Sequence, residues 1–399
     1  VLDVKLLLVD HATSVGSAQR ALLDLVCGLP PSVTPAVMCP RGELRAALGD
    51  LGVRVLPSAG VSNPQRLYAR RALQVGREVC VGAGALRRAA AVTQADIVHA
   101  NCISSAVAAS YARRLGCPPV VVHLHDVVGA TWAANLARRT IGANADAIIA
   151  NSEYTRKSFA EAHTNDRLYT LRSPLDRSKF HAAGLTVDAA RDMLGLNRRA
   201  KLVGLIAQIT PRKGQETAIK AMERVRARHP QARLLLVGGV ANGHAGGDHD
   251  NVSYERWLYR LVRALGMQEC VEFWGPRNDI PIILRALDVL VAPSWEEPQG
   301  RRVIEAMSLG TPAIATAVGG PAEYIADGVD GLLVAPRDVA ALATALTRLL
   351  GEGDFREQLG RRAIDAVDAR FDRDDYVAKL VRIYGQVLAD QATPAGARR

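Results

Sequence analysis

The stretch Val289-Leu290-Val291-Ala292-Pro293-Ser294-Trp295-Glu296-Glu297-Pro298-Gln299-Gly300-Arg301-Arg302-Val303-Ile304-Glu305-Ala306-Met307 decides how this chain folds. Its first four residues are apolar and bounded by a proline, which reads as a strand buried on both faces of a parallel sheet. Pro293 and Ser294 interrupt the run, and a helix begins about Gly300. A helix start leaves N–H groups without intrahelical partners, and these suit an anionic group or sugar hydroxyls. Glu297 falls in the turn and Glu305 two helical turns further in, so the two carboxylates reach different depths along one face.

Outward from this unit the same alternation repeats. Residues 203–206, 233–237, 271–274, 313–316 and 331–334 read as further strands of the same sheet, after a helical stretch at 187–194. Upstream, 4–9, 53–56, 97–99, 120–123 and 147–150 read as strands, with helices at 17–28, 44–51, 104–115 and 155–162. Strand and helix in alternation mean an α/β fold with right-handed crossovers. A chain of 399 residues holds two or three domains at about 150 residues each. We expect two doubly wound Rossmann-like domains, 1–182 and 183–372, a last helix over 373–390 and a frayed tail at 391–399. The cleft between the domains is the expected ligand site.

Composition removes several classes. Hydrophobic residues make up 49% and charged residues 23%, a globular balance that excludes a disordered or collagen-like chain. No apolar run approaches the roughly 20 residues of a membrane-spanning helix, and the first residues read as a strand, not a secretory signal. Cys27, Cys39, Cys80, Cys102, Cys117 and Cys270 show no C-x-x-C spacing, so a reducing cytoplasm is expected. His244, Asp248, His249 and Asp250 lie in a Gly- and His-rich stretch that reads as a surface loop; no metal site is expected.

The net charge of +10 is concentrated in residues 1–182, with 21 basic against 13 acidic residues, while the remainder carries 29 against 27. Within residues 64–92, Arg66, Arg70, Arg71, Arg77, Arg87 and Arg88 face only Glu78. This segment is compatible with peripheral contact at an anionic membrane or with a phosphorylated acceptor, and equally with a solvated helix face. Aromatic residues are only 5%, and no basic residues interleave with stacking rings, so nucleic acid is not expected as a partner.

The turn after the first strand, Asp10 to Ala18, holds a single glycine, which disfavours the G-x-G-x-x-G of nicotinamide enzymes. Gly16 and Ser17 still open a helix there, and are candidates for a phosphate or acceptor contact.

Glu297 and Glu305, with Ala306-Met307-Ser308-Leu309-Gly310-Thr311-Pro312 after them, resemble the E-x7-E signature of retaining glycosyltransferases of the GT-B fold, family four. The glycine turn Ala317-Val318-Gly319-Gly320-Pro321 and Thr210-Pro211-Arg212-Lys213-Gly214 resemble the same family's loops. Asp96 to His99, His125-Asp126 and Asn151-Ser152 resemble marks of its acceptor domain. The resemblance implies GT-B architecture, an NDP-sugar donor and a hydroxyl-bearing acceptor: a small molecule, a glycan or a lipid-linked sugar. It implies that Glu305 holds the ribose, Glu297 the sugar hydroxyls with Gln299, Gly300 and Arg301, and Lys213 the departing diphosphate. His125 lies near the transferred carbon in that scheme, and the last helix crosses back to the first domain. Substitution on one face retains configuration, with no cofactor and no metal.

Two departures from that pattern stand out. Gln208 occupies the place of the usual phosphate-binding arginine, for which Arg212 or Arg301 can substitute. Gln299 stands where an aromatic residue is common. These leave two alternatives: a catalytically impaired sugar-nucleotide-binding protein, and an NDP-sugar epimerase of the same fold.

Overall fold

The computed structural model describes residues 3–58, 72–160, 166–176, 185–240 and 251–392. The chain divides into two compact units, Val1–Leu175 with Phe371–Arg399, and Asp176–Arg370. Each is a doubly wound parallel sheet.

In the first unit, β1 (Val4–Val9), β2 (Val33–Cys39), β3 (Arg54–Pro57), β4 (Ile97–Ala100), β5 (Val120–Leu124), β6 (Ala147–Ala150) and β7 (Leu168–Thr170) lie in the order β3-β2-β1-β4-β5-β6-β7. Strand order reverses between β1 and β4, where Leu6 pairs Ile97 and Val9 pairs Ala100. Successive side chains point to opposite faces. Leu7 and Val9 therefore join one core with Val98, Val120 and Val122, and Leu6 and Leu8 the other with Ile97, Val121 and Tyr384. The last helix, Arg373–Ala392, covers the second of these faces with Tyr376, Leu380 and Tyr384, all buried.

Among the described residues, two strands and one helix of this unit go beyond those read from the sequence: β2, β7 and Trp132–Asn144. Pro35 obscures β2, because proline normally marks an edge. Here Val4 N–H bonds Ser32 O and Asp10 N–H bonds Met38 O, so even-numbered residues of β2 face β1. The missing N–H of Pro35 therefore falls on the β3 side, where pairing begins only at Ala36 with Arg54.

In the second unit, β8 (Lys201–Ile206), β9 (Ala232–Val237), β10 (Val271–Gly275), β11 (Val289–Ala292), β12 (Ala313–Thr316) and β13 (Leu332–Val334) run β10-β9-β8-β11-β12-β13. The order reverses between β8 and β11, which pair through Val203 and Val289. In open α/β sheets, ligands bind beyond the carboxyl ends of the strands at such a reversal.

The basic segment at 64–92 is described only from residue 72, within the helix Ala72–Thr93; Arg77, Arg87 and Arg88 are exposed on it. Arg66, Arg70 and Arg71 lie outside the described residues, as do His244, Asp248, His249 and Asp250. Among the described residues no helix is long and apolar enough to cross a membrane.

Candidate functional site

The loops after β8 and β11 meet at the reversal in the second unit. After β8, Pro211–Lys213 forms one 3-10 turn and Gly214 caps the helix Gln215–Arg226 in a left-handed conformation. A side chain at Gly214 would place its Cβ 2.1 Å from Pro293 O, so only glycine lets this loop touch the one after β11. The result is an ion pair: Lys213 Nζ donates to Glu297 Oε2 at 2.7 Å, and Ser294 Oγ donates to the same oxygen at 2.9 Å. Both partners are mostly buried. A lysine ammonium has three N–H donors, so the bond to Glu297 engages one of them.

The loop after β12 closes the site from the other side. Gly319 has φ 72°, and a Cβ there would stand 1.9 Å from Glu297 O; Gly320 N–H donates to that same carbonyl at 2.9 Å. Thr316 Oγ1 donates to Ser294 O at 2.6 Å. Trp295, next in the loop, is anchored by its backbone N–H to Arg212 O and lies under the Arg337 guanidinium, 3.8 Å from the ring centre. Glu297 is thus held by backbone as well as by side chain, which fixes its carboxylate in place.

The helix read as starting about Gly300 spans Arg301–Ser308, with Gly300 as its left-handed cap at φ 79°. Glu305 is fully buried inside this helix. Arg301 Nε donates to Oε1 at 2.9 Å, and Arg302 donates to Oε2. Gln299 is also buried. The two arginines sit at the positive end of a helix, where cations are disfavoured; the shared carboxylate offsets that. Arg212 is exposed and pairs with Glu296 at 3.3 Å. Both arginines named as substitutes at the Gln208 position are therefore in ion pairs. Gln208 is itself exposed, and its carbonyl accepts from Gln215 Nε2.

A second cluster occupies the reversal in the first unit. Asp10 follows β1, Asn101 follows β4, and His125 follows β5. Asn101 Oδ1 lies 3.1 Å from His125 Nε2, and Asn101 Nδ2 donates to Asp10 Oδ2 at 2.8 Å. The histidine is held by Asn101, while its chain neighbour Asp126 is exposed. His125 stacks on His123 with ring centres 4.1 Å apart. His99 and His123 are buried beneath it on β4 and β5. Burial pushes the His99 imidazole down to about 3 and that of His123 well below its ordinary value, so both are neutral. His99 Nδ1 lies 2.7 Å from Tyr384 Oη on the last helix. Burial likewise lowers His11 to about 4, against the opposing pull of Asp10. Gly16 opens the helix Ser17–Gly28, with its N–H donating to Gln19 Oε1; Gly16 and Ser17 are exposed.

Sequence reading missed Asp10, Asn101 and Ser294 as parts of these clusters. The first two stand immediately beyond strands at a reversal, a position that marks them once strand order is known.

In both parallel-stranded units polar side chains gather at the strand reversal, the place where open α/β sheets take their ligands. The sequence profile of glycosyl transferases group 1 matches residues 187–366, and that of glycosyltransferase family 4 matches residues 18–179. A D-inositol 3-phosphate glycosyltransferase of Stackebrandtia nassauensis is 31% identical over 318 residues, 74% of this chain and 69% of the relative. One from Salinispora arenicola is 30% identical, covering 77% and 72%. Among solved structures, Anabaena HepE in complex with UDP and glucose superposes with a TM-score of 0.81 at 23% identity, covering 96% of this chain and 99% of that one. Sucrose-phosphate synthase of Thermosynechococcus elongatus gives 0.77 at 20%, covering 97% and 99%. This chain belongs to the family-4 glycosyltransferases of GT-B type, and it is a glycosyltransferase.

Proposed function

We propose that the enzyme moves a sugar from a nucleoside diphosphate carrier to an acceptor hydroxyl with retention of configuration. The observation that carries this reading is the Lys213–Glu297 pair at the β8/β11 reversal. In this reading Glu297, with the backbone at Gln299, Gly300 and Arg301, orients the sugar hydroxyls, and Glu305 is the group that holds the ribose. The remaining N–H donors of Lys213 neutralise the diphosphate as the glycosidic bond breaks, which is where negative charge develops. His125 is assigned a role at the transferred carbon, and Gly16 and Ser17 a role in acceptor contact. The departing diphosphate oxygen takes the proton of the attacking hydroxyl. Glu297 and Glu305 lie along one helix and its turn, so they do not flank a bond as the paired carboxylates of glycosidases do.

HepE was solved in complex with UDP and glucose, and the relatives are named for D-inositol 3-phosphate. UDP-sugars and phosphorylated cyclitols are therefore the first donors and acceptors to assay. The test is to incubate the enzyme with such pairs and read the anomeric coupling constant of the product. Retention is expected, and an inverted product overturns the mechanism. NDP-sugar consumed without an acceptor points to the epimerase reading.

The reaction in this proposal needs no metal, because a lysine and helix N-termini meet the diphosphate charge. Turnover should survive EDTA; loss that magnesium restores would refute this. We further propose a cytoplasmic enzyme whose Arg77, Arg87 and Arg88 face meets anionic lipid. Salt-sensitive sedimentation with anionic vesicles is expected, and its absence removes membrane contact.

A further inference from the structure

We propose that Asp10 is a positioning residue for His125, acting through Asn101 to dictate which imidazole nitrogen carries the proton. Asp10 is completely buried, and among the described residues every hydrogen bond to its carboxylate comes from an N–H donor. Ala12 N–H donates to Oδ1 at 2.8 Å, Gln19 Nε2 to Oδ1 at 3.2 Å and Oδ2 at 3.0 Å, and Asn101 Nδ2 to Oδ2 at 2.8 Å.

This arrangement settles the orientation of Asn101. Its amide has one donor end and one acceptor end. The end facing Asp10 Oδ2 also faces Ala18 O at 3.3 Å, and both of those atoms accept. Turning the amide over would set its oxygen against a carboxylate oxygen and a carbonyl at once. The NH2 group therefore points to Asp10 and Ala18, and Oδ1 is left toward His125 Nε2 at 3.1 Å. An amide oxygen only accepts, so Nε2 carries the hydrogen and, in the neutral ring, the lone pair stays on Nδ1. The tautomer of a histidine is set by the bond its other groups force on it.

The rest of His125 is fixed by separate groups. Asn151, just beyond β6, donates from Nδ2 to the His125 carbonyl at 3.0 Å. His123 supplies a stacking surface at 4.1 Å. Backbone, ring plane and proton are thus each held by a different element, β6, β5 and the β1/β4 pair, all in the first unit. That degree of constraint is what a reacting side chain requires and a packing histidine does not. The importance of the relay for turnover rests on the reading of His125 given above.

The experiment labels histidine with 15N and assigns the His125 tautomer by long-range 1H–15N correlation in the full-length protein and in Asp10→Asn. The expected result is Nε2–H in the native chain and a mixture in Asp10→Asn. With it, kcat should fall roughly tenfold or more while the donor KM stays within about twofold. Nδ1–H in the native protein, or an unchanged tautomer in the variant, overturns the relay. A mixed tautomer with unchanged kcat overturns its role in the reaction. If Asp10→Asn does not fold, Asn101→Ala serves the same test, and the native tautomer is decisive by itself. His125→Ala turning over at the native rate would remove His125 from the reaction while leaving the tautomer measurement to judge the relay.

Discussion

Removing the Lys213 ammonium tests the donor site most directly. A charge-assisted hydrogen bond to phosphate contributes about 1.5–3 kcal/mol, so Lys213→Ala should weaken NDP-sugar binding by roughly 10- to 100-fold. The native protein with donor at 100 times its dissociation constant gains about 2.7 kcal/mol of stability; a 100-fold weaker site keeps only about 0.4 kcal/mol at the same concentration. For a unit of about 195 residues, where each kcal/mol moves the midpoint about 2–4 °C, a ligand-induced shift of about 5–11 °C should shrink to about 3–6 °C for a tenfold loss of affinity and to about 1 °C for a hundredfold loss. The substitution also strips Glu297 of its partner at 2.7 Å, but Ser294 remains on that carboxylate. With a quarter of the lysine side chain exposed, screening holds the cost in the unliganded protein to about 1 kcal/mol. Thermal shift against a panel of NDP-sugars, with circular dichroism to verify the fold, is the assay. A folded Lys213→Ala protein that keeps its full shift would refute the assignment of this lysine to the diphosphate.

Glu305→Gln leaves two guanidiniums without the buried carboxylate they share, and should cost about 3 kcal/mol or more in urea unfolding; a loss under about 0.5 kcal/mol would show the pairing to be dispensable. Acidification should also destabilise the fold. His11, His99 and His123 have folded pKa values pushed below the ordinary 6.5 by burial. Below about pH 6.5 the unfolded chain binds protons that the folded chain refuses, so stability falls with pH, by up to about 1.4 kcal/mol per unit for each histidine. Urea midpoints at pH 7.5 and 5.5 measure this, and equal midpoints would mean that these rings are solvated.

Much of the second unit was legible in the chain itself. Residues 289–292 and 313–316 coincide with β11 and β12 to the residue, because short apolar runs between Pro, Ser and Gly have few other options. The glutamates were visible through residue type and spacing, and Lys213 through the resemblance of its loop to that of the family. Their contact was not: it depends on Gly214 and Gly319 approaching carbonyls of another loop, and a glycine in the sequence does not say what it touches. The first unit was harder to read. Pro35 hid β2, and Asp10 and Asn101 are 91 residues apart in the chain, joined only through the pairing of β1 with β4.

The sequence alone determined the alternation of buried strands and helices, hence two parallel sheets, and the charged and polar side-chain types available at their strand ends. Those follow from local periodicity and from the pKa and shape of single side chains. Tertiary structure decided which groups became partners. It gave Glu297 to Lys213 and His125 to an asparagine oriented by a buried carboxylate, whereas Glu305 and its two arginines stand three and four residues apart on one helix. Hydrogen bonds fall off within about 3 Å, and only strand order brings residues that far apart in the chain within that distance.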